Sequence, residues 1–474
     1  MMYRKAVEGM LYELEDPYTS LLAPDMLGRL AETTSGNYAG VGIQVDVRDG
    51  WMIVIAPSPG GPAERAGIQP GDRIVEVNGR STQGWTHDEA QRSFRGRAGT
   101  SVALRVERPG VPAAMPLTLI RRSMHQSAVR RVAMLPNGVG YIDLDAFSDS
   151  SERELTSSVN ALRARGAKSL MLDLRANPGG LLEQGLRVAD LFLGPGQRIV
   201  SLRGRTPEAN KDYTDSTAQP WPSLPLTVLV DEKSASAAEI VAGALQDNDR
   251  AVIVGEPTYG KGSAQTIIPL GDVGGLKITT ARWYTPSGRS ISRRVQRDEE
   301  EADEESQPAR RKRYQTSSGR IVFDGGGITP DVMESDSAHS EGVANLQAAL
   351  GRKVSQFRDA LTDYALTVKA SGEVTSPQFT VTKMMLDEVW KRMMSRGVVM
   401  DRGIFDESTA VVSSLLSYDI ARYAFGPEAE FKRRVAGDQA IKTALELASG
   451  AGSQRALLDK AMARQKTQRA ENEE

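Results

Sequence analysis

Val139-Gly140-Tyr141-Ile142-Asp143-Leu144 reads as a strand, and the stretch from Ser151 to Arg165 that follows it reads as a helix. Leu155, Val159 and Leu162 fall on one face of that helix, and Ser151 with Glu154 predicts a capping box at its start. Leu170-Met171-Leu172-Asp173-Leu174 is then a buried strand, followed by a glycine turn and a helix from about Leu181 to Phe192. The rhythm repeats: strand Leu226 to Val230, helix Ser236 to Gln246, strand Ala251 to Val254, and later the strand Leu276 to Thr285. Strand and helix alternating from about 125 to 335 predict an α/β layer architecture with crossover connections.

The texture changes on both sides of this block. Upstream, residues 1–37 predict short helices around a turn at Asp16-Pro17-Tyr18. Residues 38–122 are short β-branched runs punctuated by glycine and proline, such as Val41-Gly42-Ile43-Gln44-Val45 and Trp51-Met52-Ile53-Val54-Ile55. Ile74 to Val77 leads into an Asn78-Gly79 turn, Val102 to Val106 is a further strand, and His87 to Phe94 is a short helix. This is a compact β-rich module. Downstream of 336 the pattern is helical throughout, with Val343, Leu346, Leu350, Val354, Phe357 and Leu361 forming an amphipathic stripe. Further helices are expected at 381–396, 407–425 and 428–449. The acidic run Asp298 to Glu305 beside Arg310-Arg311-Lys312-Arg313 reads as a solvated loop.

Composition narrows the chemistry. With 474 residues the chain divides into several domains, and a net charge of −2 gives no general pull toward nucleic acid. Cysteine is absent, which excludes disulfides, thiolate metal sites and a cysteine nucleophile. Only three histidines are present, His87, His125 and His339, and none forms an HExxH pattern. A hydrolase built on this chain therefore needs a base other than imidazole. No run approaches the roughly 18 apolar residues of a membrane span. Met1-Met2-Tyr3-Arg4-Lys5 does not lead into the apolar stretch of a secretory signal. The expectation is a cytoplasmic protein, or a sequence that begins after its export signal.

Three segments carry candidate chemistry. Ser234-Ala235-Ser236-Ala237-Ala238-Glu239 follows a strand and opens a helix, so Ser236 and Glu239 suffice as a capping box. A hydroxyl there also lies beside unpaired N–H groups at the positive end of a helix dipole, which suits a nucleophile whose attack creates an oxyanion. Gly255-Glu256-Pro257-Thr258-Tyr259-Gly260-Lys261-Gly262 begins like a phosphate-binding loop. It fails at Gly262, where Ser or Thr is required, and Gln265 to Leu270 continues as a strand rather than a helix. A buried lysine among glycines loses proton affinity and can act as a general base. Asp173-Leu174-Arg175-Ala176-Asn177-Pro178-Gly179-Gly180 is a strand-to-helix turn whose glycines let a backbone N–H approach a substrate.

In this order and spacing the three segments resemble the catalytic core of the carboxyl-terminal processing, or tail-specific, serine proteases. The resemblance covers about residues 1–335 and implies a Ser–Lys dyad. Ser236 is then the nucleophile, Lys261, 25 positions on, is the base, and Gln265 orients the lysine. It further implies Ala237 and Gly180 as oxyanion donors, with Gly179 the rival to Gly180, and Asp247 as a support of the dyad's geometry. Gly326-Gly327-Ile328-Thr329-Pro330-Asp331 resembles the end of the family's protease domain. The module at 38–122 resembles a PDZ domain, with Gly40, Val41, Gly42 and Ile43 in the loop that takes a substrate's terminal carboxylate.

The fold class implied is an α/β protease core, ClpP/crotonase-like, with an inserted PDZ domain and an all-α C-terminal extension. The segments expected are 1–37, 38–122, 123–335 and 336–474. No cofactor or metal is implied, and the partners implied are proteins or peptides with free C-termini. Residues 336–474 could serve a homo-oligomer, cradle substrate or dock an adaptor. The resemblance implies work in the periplasm or on the extracytoplasmic side of a bacterial membrane. A PDZ scaffold without catalysis is the alternative, and the presence of Ser236, Lys261 and Gln265 together argues against it.

Overall fold

The computed structural model describes residues 2–293, 311–334 and 337–473, and they form two compact units. The acidic run and Arg310 lie outside the described residues. The first unit comprises residues 1–36, 126–335 and 440–474, and the second comprises 37–125 and 336–439.

A six-stranded sheet forms the centre of the first unit, in the order Val129–Leu135, Val139–Leu144, Ser169–Asp173, Leu226–Val230, Val252–Gly255, Val332–Met333. The first pair is antiparallel and every later pair is parallel. The three middle strands, Val139–Leu144, Ser169–Asp173 and Leu226–Val230, are buried at every position, as a parallel sheet covered on both faces requires. Their Val, Ile and Leu side chains pack with Leu155, Val159 and Leu162 of the helix Ser151–Ala164 and with Val188, Phe192 and Val241. The capping box expected at Ser151 does not form. Ser150 takes the N-cap position, Ser151 accepts from the Ser148 N–H, and Glu154 instead accepts from Ala128 N–H and the Ser127 hydroxyl on the neighbouring chain segment.

A second sheet in this unit has the order Ser20–Leu22, Gly275–Tyr284, Arg198–Gly204, Lys211–Thr214, and Ser263–Pro269 also pairs with Gly275–Tyr284. The antiparallel register Ser20↔Lys277, Leu21↔Leu276 ties the N-terminal segment to Gly275–Tyr284, the hairpin partner of the strand that directly follows the lysine loop, residues 256–262. The helix Gln454–Glu473 completes the unit. Gln454 accepts from the Leu226 N–H at 2.8 Å, and Arg464 pairs with Glu334 at 2.9 Å.

The second unit contains a small antiparallel sheet around Val41, Val54, Ile74, Ala90, Val102 and Val106, with the helix His87–Phe94 opened by a Thr86–Glu89 capping box. Asn78 and Gly79 both have positive φ, 51° and 75°, as a two-residue hairpin turn demands. Its helical part centres on Phe357, Leu361, Val389, Phe405 and Leu416. Within this unit the Lys369 amine donates to Pro70 O at 2.7 Å and Arg396 pairs with Asp49 at 3.0 Å. The helical stretch expected as one extension is thus shared, 336–439 in one unit and 440–474 in the other.

Candidate active site

Ser236 occupies the turn between the strand Leu226–Val230 and the helix Ala237–Asp247, with φ 57° and ψ −114°. That conformation is costly for a residue with a Cβ and persists only where surrounding structure enforces it. Two groups do so. The Ser236 N–H donates to Glu239 Oε2 at 2.8 Å, and the Ala235 N–H donates to Asn177 O at 2.9 Å. Gly179 lies directly against the turn: a Cβ there would be 2.7 Å from Ala235 O, 2.8 Å from Ser236 Cβ and 2.9 Å from Ala237 N. Only glycine, at φ 93°, fits.

The 173–181 loop is held from below. Asn177 Nδ2 donates to Leu144 O at 2.6 Å, and its Oδ1 accepts from the Gly179 N–H at 2.8 Å. Phe147 N–H donates to Gly179 O, and Leu181 N–H donates to Phe147 O. The N–H of Gly180, between them, finds no acceptor among the described residues, and neither does that of Ala237. Gly179 is therefore occupied, whereas Gly180 and Ala237 keep donors to offer. Asp173 anchors the loop's start, pairing with Arg175 at 2.7 Å and accepting from the Tyr141 hydroxyl at 2.8 Å.

Glu239 is the residue that sequence reasoning undervalued as a mere cap. Its fully buried carboxylate accepts from Ser236 N–H, Lys261 N–H (2.9 Å), Gly260 N–H (2.7 Å) and the Thr258 hydroxyl (2.6 Å). Burial pushes its pKa up, and these four donors oppose that shift. One carboxylate thereby fastens the backbone of Ser236 to the backbone of Lys261. The lysine loop is closed further by the 326–331 segment. Thr258 Oγ1 accepts from the Ile328 N–H at 2.7 Å, and Gly327 passes so near that a Cβ would strike Thr258 O.

Burial also holds the Lys261 amine below the ordinary lysine range. Lys277 adds to this, while Glu239 and Asp16 act against it. The amine makes no hydrogen bond or ion pair among the described residues and stands 4.9 Å from the centroid of the Tyr18 ring. It is not bonded to Ser236 here. Gln265 is not brought to the amine either: its Nε2 donates to Ser263 Oγ at 2.9 Å and Thr279 Oγ1 at 3.2 Å. Asp247 ends the helix that Ser236 begins, about 16 Å along its axis, in a fully buried ion pair with Arg289 at 2.8 Å.

In the second unit, Gly40 ends the strand Asn37–Gly40 and Ile43 pairs with Pro57. Val41 O accepts from Ala63 N–H and Gly42 O from Ser58 N–H. The Gly42 N–H finds no acceptor among the described residues, and an isolated antiparallel bridge between Gly40 and Arg95 turns the Val41 N–H toward Phe94 O. Gly42 has φ 69°, a conformation that disfavours any side chain, and Met124 and Ser58 lie close against it.

The sequence profile of Peptidase family S41 matches residues 138–301, and that of a PDZ domain matches 53–108. A carboxyl-terminal-processing protease of Picosynechococcus is 40% identical over 293 residues, covering 61% of this chain and 70% of the relative. This chain belongs to the carboxyl-terminal processing proteases of family S41. Another relative of the family, the carboxy-terminal processing protease CtpA of Bacillus subtilis, is 36% identical over 289 residues; the alignment covers 61% of this chain and spans 61% of that relative's length. The photosystem II D1 C-terminal processing protease is a solved structure with 30% identity, covering 70% of this chain and 81% of its own, at a TM-score of 0.40. Among the described residues no helix is long and apolar enough to cross a membrane.

Proposed function

We propose that this family member is a serine endopeptidase in which Ser236 and Lys261 form a catalytic dyad. The neutral Lys261 amine takes the Ser236 hydroxyl proton as Oγ bonds to the scissile carbonyl carbon. The N–H groups of Ala237 and Gly180 hold the resulting oxyanion. Collapse breaks the C–N bond, and the lysine returns its proton to the departing amine. Water, deprotonated by the same lysine, then releases the acyl group and restores Ser236. Gln265, two residues into the strand that follows the lysine loop, orients the amine when the dyad engages.

The observation that carries this reading is the single Glu239 carboxylate receiving both the Ser236 and the Lys261 N–H, beside an amine whose proton affinity is lowered by burial. Ser236→Ala should abolish cleavage of an unfolded protein such as casein while preserving the circular-dichroism spectrum. Cleavage at the native rate by that variant would sink the assignment.

The loop Gly40-Val41-Gly42-Ile43 takes the substrate's C-terminal carboxylate, and the free Gly42 donor supports it. We retain the ClpP/crotonase-like layering, the four segments 1–37, 38–122, 123–335 and 336–474, and an extracytoplasmic workplace as parts of the same proposal. The helices beyond 336 would meet a second copy or an adaptor.

A further inference from the structure

Tyr18 belongs to neither matched profile segment, and its turn was legible in the sequence only as a turn. The structure braces that turn through several contacts. Asp16 Oδ1 accepts from the Tyr18 N–H at 3.1 Å, and Thr19 Oγ1 donates to the same carboxylate. Thr19 Oγ1 in turn accepts from the Thr279 N–H at 3.2 Å, and Ser20–Leu22 adds as a strand to Gly275–Tyr284. The Tyr18 side chain lies beside Tyr259, which belongs to the loop that carries Lys261. The braced turn sets the ring against that loop, and the Lys261 amine rests over it at 4.9 Å from the centroid.

We propose that Tyr18 is a positioning residue for the dyad, an aromatic platform that fixes the Lys261 amine and shields it from water. The inference rests on the dyad reading and adds to it a part supplied by the N-terminal segment. A lysine side chain has four rotatable bonds, and an amine without a hydrogen-bonding partner would otherwise sample many of them. The ring confines it while leaving its lone pair unclaimed, as a base about to accept a proton requires.

Two effects of the ring on the amine oppose each other. Its face attracts the protonated form, and its bulk excludes the water that would stabilise that form. Burial is the leading influence on Lys261, and the ring at 4.9 Å is part of what buries it, so in this proposal water exclusion is the larger effect. The charged and titratable groups around the amine are Lys277 on the strand Gly275–Tyr284, Glu239 on the helix, Asp16 in the turn, and the two tyrosines. Substituting Tyr18 leaves the first three in place.

The test compares Tyr18→Ala, Tyr18→Leu and Tyr18→Phe in the full chain with casein as substrate, following kcat, KM and their pH dependence. Tyr18→Ala should lower kcat at pH 7 by about tenfold or more with KM nearly unchanged, and its activity should recover at higher pH. Tyr18→Phe, which keeps the ring, should restore kcat to within about threefold, and Tyr18→Leu, which keeps bulk without an aromatic face, should fall between. The Lys261 titration can be read without activity, by pH-dependent trace modification of the amine in a Ser236→Ala background, quantified by mass spectrometry. Adding Tyr18→Ala should move its midpoint upward. A Tyr18→Ala protein with native kcat and an unmoved Lys261 midpoint overturns the inference even if Ser236→Ala is inert. Cleavage by Ser236→Ala, in contrast, would overturn the dyad beneath it.

Discussion

At Ser236 the chain accepts backbone strain, and at Gly179 beside it glycine avoids both strain and a clash. A positive φ at a serine costs on the order of 1–3 kcal/mol, and the Glu239 and Asn177 hydrogen bonds hold the turn in it. Gly179→Ala tests the fit. The new Cβ would meet three atoms of the Ser236 turn below 3.0 Å, two of them backbone, at a φ that disfavours alanine. Activity should fall at least about a hundredfold, with a stability loss of ~1–3 kcal/mol by urea unfolding. An alanine variant with native turnover would show that this contact does not set the serine. Lys261 gives a second residue-scale expectation. Its folded pKa lies below the unfolded value, so the unfolded chain binds more protons between the two, and stability rises with pH across that window. Lys261→Met should therefore raise the melting temperature at pH 7, and the gain should shrink as pH approaches the ordinary lysine value. The sequence named Ser236 and Lys261, because motif and spacing are one-dimensional. It hid the strain and the Tyr18 contact, because both arise from chain segments that meet only after folding.

Among the elements, the helix Ala237–Asp247 matters most. It is buried along its whole length, which its sequence announces in Ala238, Ile240, Val241, Ala244 and Leu245. Glu239 in that apolar setting is tolerable only because four donors converge on it. Glu239→Gln replaces one acceptor oxygen with an NH2 group that must face a donor. It should destabilise the fold by ~2–4 kcal/mol and reduce cleavage far more than an equally destabilising core substitution such as Ile253→Ala. Equal losses in both variants would reduce Glu239 to a structural cap. The parallel strands were legible because they are continuous apolar runs. Arg198–Gly204 and Lys211–Thr214 were not, since the latter, Lys-Asp-Tyr-Thr, carries no β-like pattern and is set by its partner strand. Gln454–Glu473 escaped notice for a similar reason: its mean hydropathy is low and it shows no strong stripe.

Across the whole molecule, the proposed cleavage would depend on delivery of substrate as well as on the dyad. Amidating the C-terminus of a substrate peptide removes the charge that the Gly40-Val41-Gly42-Ile43 loop would meet. Binding to the full-length Ser236→Ala protein should weaken about tenfold or more, a loss of roughly 1.5–3 kcal/mol for charge-assisted hydrogen bonds. Equal affinity for the free acid and the amide would withdraw the tail-specific part of the account. Helical periodicity forecast the character of residues 336–474 but not their division, since an amphipathic stripe states that a face is buried and not against what. The Lys369–Pro70 and Arg396–Asp49 contacts, nearly three hundred or more residues apart in sequence, decide that for 336–439.

The dyad is the central claim, and the pH dependence of casein cleavage by the native chain beside Lys261→Arg tests it most directly. Arginine keeps the positive charge and cannot deprotonate at working pH. Native kcat/KM should rise along a single limb whose midpoint lies below the ordinary lysine pKa of about 10.4, and Lys261→Arg should be as inert as Lys261→Ala throughout. An arginine variant that cleaves with a native pH profile would mean that position 261 acts by charge alone, and the account of Lys261 as base would be wrong.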